Sequence, residues 1–183
     1  METFEHPQPP EGQAAPGWPT LHTHYVYAAK FLCGELREID REGPVQPGRY
    51  STAINVHNPH HIPVVFRKKA VLLYNGEHPE QAKERPLPPT QRECPAVREL
   101  GPDYGLEIDC PDIRDVLLRD ASGKPGPQAP VFIKGWVVIE TMTTISLDIV
   151  AVYTTESITG QAAAPPSIAI ERVPGTRTLT WGF

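Results

Sequence analysis

Five of the chain's histidines fall into two groups: His22 and His24, one residue apart, and His57, His60 and His61 around Asn58-Pro59. Two histidines at i and i+2 of a strand share a face, and an imidazole from a turn would complete a three-nitrogen set for zinc or iron. A metal-dependent enzyme built on these five residues is therefore one reading of the chain. No carboxylate follows at a recognised ligand spacing, however, and histidines beside turns are more economically explained as solvated groups. Asp109, Asp112 and Asp115 are the right ligand type for calcium, but their spacing is not that of a calcium loop. Capping and dipole stabilisation at a helix start account for Asp109 and Asp112.

Other chemistries find less support. The chain has no Gly-x-Ser-x-Gly elbow, and none of its cysteines stands in a recognised protease context. Ser122-Gly123-Lys124 departs from a phosphate loop, because Pro125 follows the lysine and Leu118 stands where the motif requires glycine. Asp148 sits between Leu147 and Ile149, so it lies either on a solvated face or partly buried with an ion-pair partner such as Lys134 or Arg172. The aromatic side chains Tyr25, Tyr27, Trp136, Tyr153, Trp181 and Phe183 could stack on a sugar or cover a subunit interface. Trp136 and Tyr153 read as core. Trp181 and Phe183, together with Tyr25 and Tyr27, are the candidate interface residues, because Trp181-Gly182-Phe183 would otherwise expose apolar area. No catalytic residue and no cofactor are assigned.

The elements that must hold these residues are short runs rich in valine, isoleucine, threonine and aromatics, closed by glycine, proline or asparagine. Tyr25 to Cys33 is nearly continuous and reads as a strand covered on both faces. Arg49 to His57 alternates, with Tyr50, Thr52, Ile54 and Val56 on one side. After the Asn58-Pro59 turn, Pro63 to Tyr74 forms a return strand long enough to bend or bulge near Arg67-Lys68-Lys69, and the two strands suggest a hairpin. The basic triplet reads as a solvated edge or face. Asn75-Gly76 marks a strand exit, and Leu87-Pro88-Pro89 lies in a polar, proline-rich loop. Leu106 to Cys110 alternates again. Pro111 and Asp112 followed by Ile113, Val116 and Leu117 predict a short helix near 111–119. Val131 to Thr155 reads as two strands in a hairpin, and Ser167 to Val173 with Arg177 to Trp181 as another, turning at Pro174-Gly175.

The order Ile54-Asn55-Val56-His57-Asn58-Pro59, Pro63-Val64-Val65-Phe66, Leu87-Pro88-Pro89, Phe132 to Glu140 and Ile145 to Thr154 resembles the immunoglobulin-like β-sandwich modules common in bacteria. Its layout is similar to the sensory-rhodopsin transducer family over about residues 50 to 155, with a long insertion between Leu87 and Cys110. The N-terminal arm, the insertion and the last strand pair depart from that family. The resemblance implies a soluble, oligomeric, non-enzymatic scaffold or signalling module.

Composition sets the outer bounds. With 183 residues, 39% hydrophobic and 21% charged, the chain suits one domain. A net charge of -5 offers no basic face for nucleic acid. Twenty-two prolines gather between the apolar runs, and those of residues 1–20 predict a flexible N-terminal arm ahead of a single domain over 21–183. No apolar run is long enough to span a bilayer, and Met1 to His6 do not open like a secretion signal, so a cytoplasmic location is expected. Three widely spaced cysteines suit reduced thiols, with a Cys33–Cys110 pair the alternative in an oxidising compartment. These readings converge on an all-β, immunoglobulin-like or jelly-roll antiparallel sandwich of about seven or eight strands. Its expected role is a self-assembling structural or interaction module, binding a second copy of itself, another protein or a glycan. A small-ligand, carbohydrate-binding or soluble signalling module is the alternative.

Overall fold

The computed structural model describes residues 20–37, 45–73, 96–120, 122–158 and 165–182. Apart from Thr20, the expected arm lies outside these residues, as do Asn75-Gly76, Leu87-Pro88-Pro89 and Phe183. Nine strands are described: β1 (Thr20–Leu36), β2 (Gly48–His57), β3 (Val64–Leu72), β4 (Ala96–Leu100), β5 (Gly105–Ile108), β6 (Ile133–Thr141), β7 (Asp148–Glu156), β8 (Ser167–Arg172) and β9 (Thr176–Gly182). They form an antiparallel, unclosed β-sandwich whose strand order is β4-β3-β6-β1-β2-β7-β8, with β9 on β1 and β5 on β2. One layer holds β4, β3, β6, β9 and most of β1; the other holds β2, β5, β7, β8 and the end of β1.

Period-two alternation in the sequence becomes one buried and one outward face on each central strand. On β2, Tyr50, Thr52, Ile54 and Val56 are buried, as their spacing predicts. β1 alternates too: Tyr27, Ala29, Phe31 and Cys33 are buried while Ala28 and Lys30 are exposed, so only one of its faces is covered. Between the layers, Phe31, Ile54, Phe66, Val137, Ile139 and Ile149 belong to the core cluster. Trp136 is not among them. It lies on the outer face of β6, 37% exposed, because Val137 and Ile139 hold the inward phase of that strand.

The expected hairpins are replaced by crossings. β2 pairs with β1, β5 and β7, whereas β3 pairs with β4 and β6. β6 and β7 likewise lie in opposite layers, and β8 pairs with β7 while β9 pairs with β1. Each of these connections passes over an end of the sandwich. Asn58 secures one of them: fully buried, its Nδ2 lies 2.9–3.0 Å from the carbonyl oxygens of Ile62, Leu100 and Gly101, and its Oδ1 accepts from His60 N–H. β3 carries no bulge, since its register against β6 runs unbroken from Phe66 to Leu72.

The helix forms where proline and the aspartates predict it. In α1 (Cys110–Asp112), Asp109 caps the first turn by accepting from Asp112 N–H at 2.9 Å, and Pro111 occupies a position that needs no hydrogen bond. A π-turn over Ile113–Leu117 continues it, burying Ile113 and Leu117 and leaving Val116 exposed.

The junction between the layers is the most constrained part of the molecule. β1 changes layers at Gly34, whose φ of +107° a side chain would strain. Past that bend, Gly34–Leu36 pair with Gly48–Tyr50 on one edge of β2, and β5 takes the same edge from Ile54 onward, because β7 fills the other. Thr52 occupies the gap. Its hydroxyl accepts from Leu32 N–H and donates to Leu32 C=O, both at 3.0 Å, replacing the missing rung. Its own N–H donates to Cys110 Sγ at 3.3 Å. Cys33 and Cys110 are joined in a disulfide across this gap, which corrects the expectation of reduced thiols. Arg114, 4% exposed, completes the junction by donating to the carbonyls of Cys33 (3.0 Å), Val131 (2.7 Å) and Pro127.

Lys68 corrects another expectation. It shares the inward phase of β3 with Phe66 and Ala70, is 3% exposed, and meets Asp112 at 3.5 Å. Only Arg67 and Lys69 face outward, both paired with Glu140. Burial holds the Lys68 ammonium below its usual pKa of 10.5, with Asp112 partly opposing the shift. Between the lowered value and 10.5 the unfolded chain binds the proton and the folded chain does not, so this group makes stability rise with pH across that window. Replacing the pair together, Lys68→Met with Asp112→Asn, is expected to raise the unfolding free energy by about 1–2 kcal/mol at neutral pH. The gain should shrink as pH rises from the lowered value toward 10.5 and stay constant above it, read as the difference between the two proteins' urea unfolding curves.

Candidate functional site

Two features on the described surface could contact something else. The first is a cleft of about 240 Å³ at one end of the sandwich. Its walls are Tyr25 and Tyr27 of β1, residues 146–149 entering β7, Arg172 at the end of β8, and residues 173–175 linking β8 to β9. The two phenol rings stack with centroids 6.4 Å apart. Tyr27 is buried, and its hydroxyl accepts Leu147 N–H at 2.7 Å. Burial pushes that phenol's pKa up, the Leu147 bond partly opposing it, with Tyr25 and Asp148 adding to the rise. At the rim Arg172 Nη2 donates to Asp148 Oδ1 at 2.9 Å, so of the two partners named for this carboxylate Arg172 takes the place and Lys134 does not, and both side chains are solvent-accessible. Gly175 lets the chain lie against Tyr27, since a Cβ there would fall 2.6 Å from the ring.

The second feature is β8. All six of its residues are exposed, although one edge of the strand is hydrogen-bonded to β7. Ile168 and Ile170 are 66% and 71% exposed. They extend a row running through Thr154 and Val152 of β7 to Ser51 and Ala53 of β2. No described strand lies on the other edge of β8. On the opposite face, Tyr153 is half-buried and donates to Glu171 Oε2 at 2.8 Å, its pKa raised by burial and by that carboxylate.

Of the residues anticipated for an interface, Tyr25 and Tyr27 line the cleft, Trp181 stands in β9 opposite Leu21 of β1, and Phe183 lies outside the described residues. The histidines are dispersed. His22 and His24 pair with Thr180 and Thr178 in the β1–β9 ladder. The His57 ring contacts Asp103 Oδ1 and the His60 ring contacts Ser146 O, each at 3.1 Å, while His61 is exposed. Among the described residues no group of three or more His, Cys, Asp or Glu is placed to hold a metal ion. The β8 edge was missed in the sequence because exposed and buried isoleucines alternate alike; only strand order shows which lack cover. No described helix is long and apolar enough to cross a membrane.

Comparison with known proteins finds no matching family model, no matching curated protein and no matching solved structure.

Proposed function

We propose that this chain is a non-enzymatic interaction module that pairs with a second copy of itself through the free edge of β8. The observation that carries the reading is the exposure of Ile168 and Ile170 on a strand whose outer edge has no described partner. An edge strand bearing large apolar residues and lacking a lysine or proline is an invitation to strand addition. Val173 N–H donates to Ile149 O, so by strand alternation the N–H and C=O groups of Ile168 and Ile170 point away from β7. An antiparallel two-fold pairing centred on Ala169 sets Ile168 against Ile170 of the second copy. It uses those free groups and joins four isoleucines into one strip. The resemblance to oligomeric sandwich modules supports the same role, and the contact moves from Trp181 and Phe183 to β8. The Cys33–Cys110 bridge supports an oxidising compartment over the cytoplasm expected from the sequence.

The wild-type chain is expected to sediment as a dimer at micromolar concentration. Ile168→Lys with Ile170→Lys should weaken association by about two orders of magnitude or more and leave the circular dichroism spectrum unchanged. A wild-type chain that stays monomeric at millimolar concentration overturns the proposal. So does a chain that dimerises only after deletion of residues 1–19, because its own arm would then be the occupant of that edge.

A further inference from the structure

We infer that the cleft at Tyr25, Tyr27, Asp148 and Arg172 binds a neutral polyhydroxylated ligand of single-ring size, such as a monosaccharide or the terminal sugar of a glycan. Its volume of about 240 Å³ far exceeds the room one water needs and lies just under the roughly 300–1,000 Å³ of drug-sized sites. That is space for one ring. The polar groups of its walls are only partly used. Tyr27 hydroxyl accepts from Leu147 N–H, but its own proton has no acceptor among the described residues, and Tyr25 hydroxyl has no described hydrogen-bond partner. Asp148 and Arg172 are joined through one carboxylate oxygen, leaving the second oxygen and further guanidinium N–H groups available. Two phenols, a carboxylate and a guanidinium match vicinal hydroxyls, each of which must both donate and accept. The Tyr25 ring adds an apolar face for the C–H side of a sugar ring.

The charge balance selects the ligand class. Arg172 at the rim disfavours a cation and Asp148 disfavours an anion, whereas the pair leaves no net charge for a neutral ligand to offset. The walls are also built in: the two segments facing β1 are the crossings between layers, held by the Leu147–Tyr27 bond, by the His60 contact to Ser146 O, and by Gly175 against the Tyr27 ring. A loop site on a rigid frame is the usual place for recognition.

The test is an amide NMR titration of the full chain with D-glucose, D-galactose, D-mannose, N-acetyl-D-glucosamine and myo-inositol, each at millimolar concentration, with inorganic phosphate and choline as charged probes. At least one neutral compound is expected to move the Leu147, Asp148 and Gly175 signals saturably. Asp148→Asn should weaken that binding by about tenfold, and Tyr25→Phe by several-fold. Both variants should keep the wild-type thermal midpoint, since the broken ion pair is solvent-exposed. The inference fails if no neutral compound moves these signals, if a charged probe alone does, or if both variants bind as the wild type does. None of these outcomes bears on pairing through β8.

Discussion

Replacing Cys33 and Cys110 together by alanine is expected to lower the unfolding free energy by about 4 kcal/mol and the thermal midpoint by about 10 °C. The bridge spans 77 residues of sequence, so its loss returns a large closed loop to the freedom of the unfolded chain. A local cost adds to this. Thr52 N–H, in the gap where β1 leaves β2 and β5 has not begun, loses its acceptor on Cys110, and a buried donor left unpaired costs about 1–3 kcal/mol. Thiol titration in denaturant should find one free cysteine of the three in the native protein. Equal thermal midpoints with and without reductant, or three free thiols, would refute the prediction.

Gly34→Ala should cost about 3–5 kcal/mol, because it combines backbone strain with collision. At φ of +107° any Cβ is disfavoured, and here the added carbon would lie 2.2 Å from Val131 O and 2.8 Å from Pro130 O. Those are backbone atoms, held by the Glu35 N–H to Pro130 O bond of 2.7 Å and by Arg114 on Val131 O, so they cannot swing aside as a side chain would. Gly123→Ala is the control. It too has a positive φ, +80°, but its Cβ would meet nothing within 4 Å. The difference between the two urea midpoints isolates the collision. Equal losses would mean that the β1 bend tolerates a side chain.

What the residues disclose on their own is local. Tyr50, Thr52, Ile54 and Val56 announce both the strand and its buried side, and Pro111 with Asp109 announces the helix start. Sheet membership is not local. Whether Ile145 to Tyr153 folds back on β6 or crosses to the other layer depends on residues far away in sequence, and hairpin grammar alone favours the wrong choice. Lys68 escaped notice for a related reason: its partner, the half-buried Asp112, comes from a different element, so the triplet looks uniformly basic until the fold separates its faces. The cleft was half legible. Tyr25 and Tyr27 stood out as candidate contacts and Arg172 as a partner for Asp148, but only the two crossings bring these pairs together.

The layer-sharing strand also dictates when the protein can finish folding. Tyr25 N–H reaches Thr141 Oγ1 across 116 residues of sequence, and the start of β1 pairs with β9, the final described strand. At roughly 5–20 residues per second of synthesis, β1 waits on the order of ten seconds or more for β9 to be made. Until then the buried residues of β1, Tyr27, Phe31 and Cys33, have no completed layer to enter. The first of the described strands to be made is among the last to be secured, so the nascent chain should depend on a holding chaperone or a slow, late closure on the ribosome.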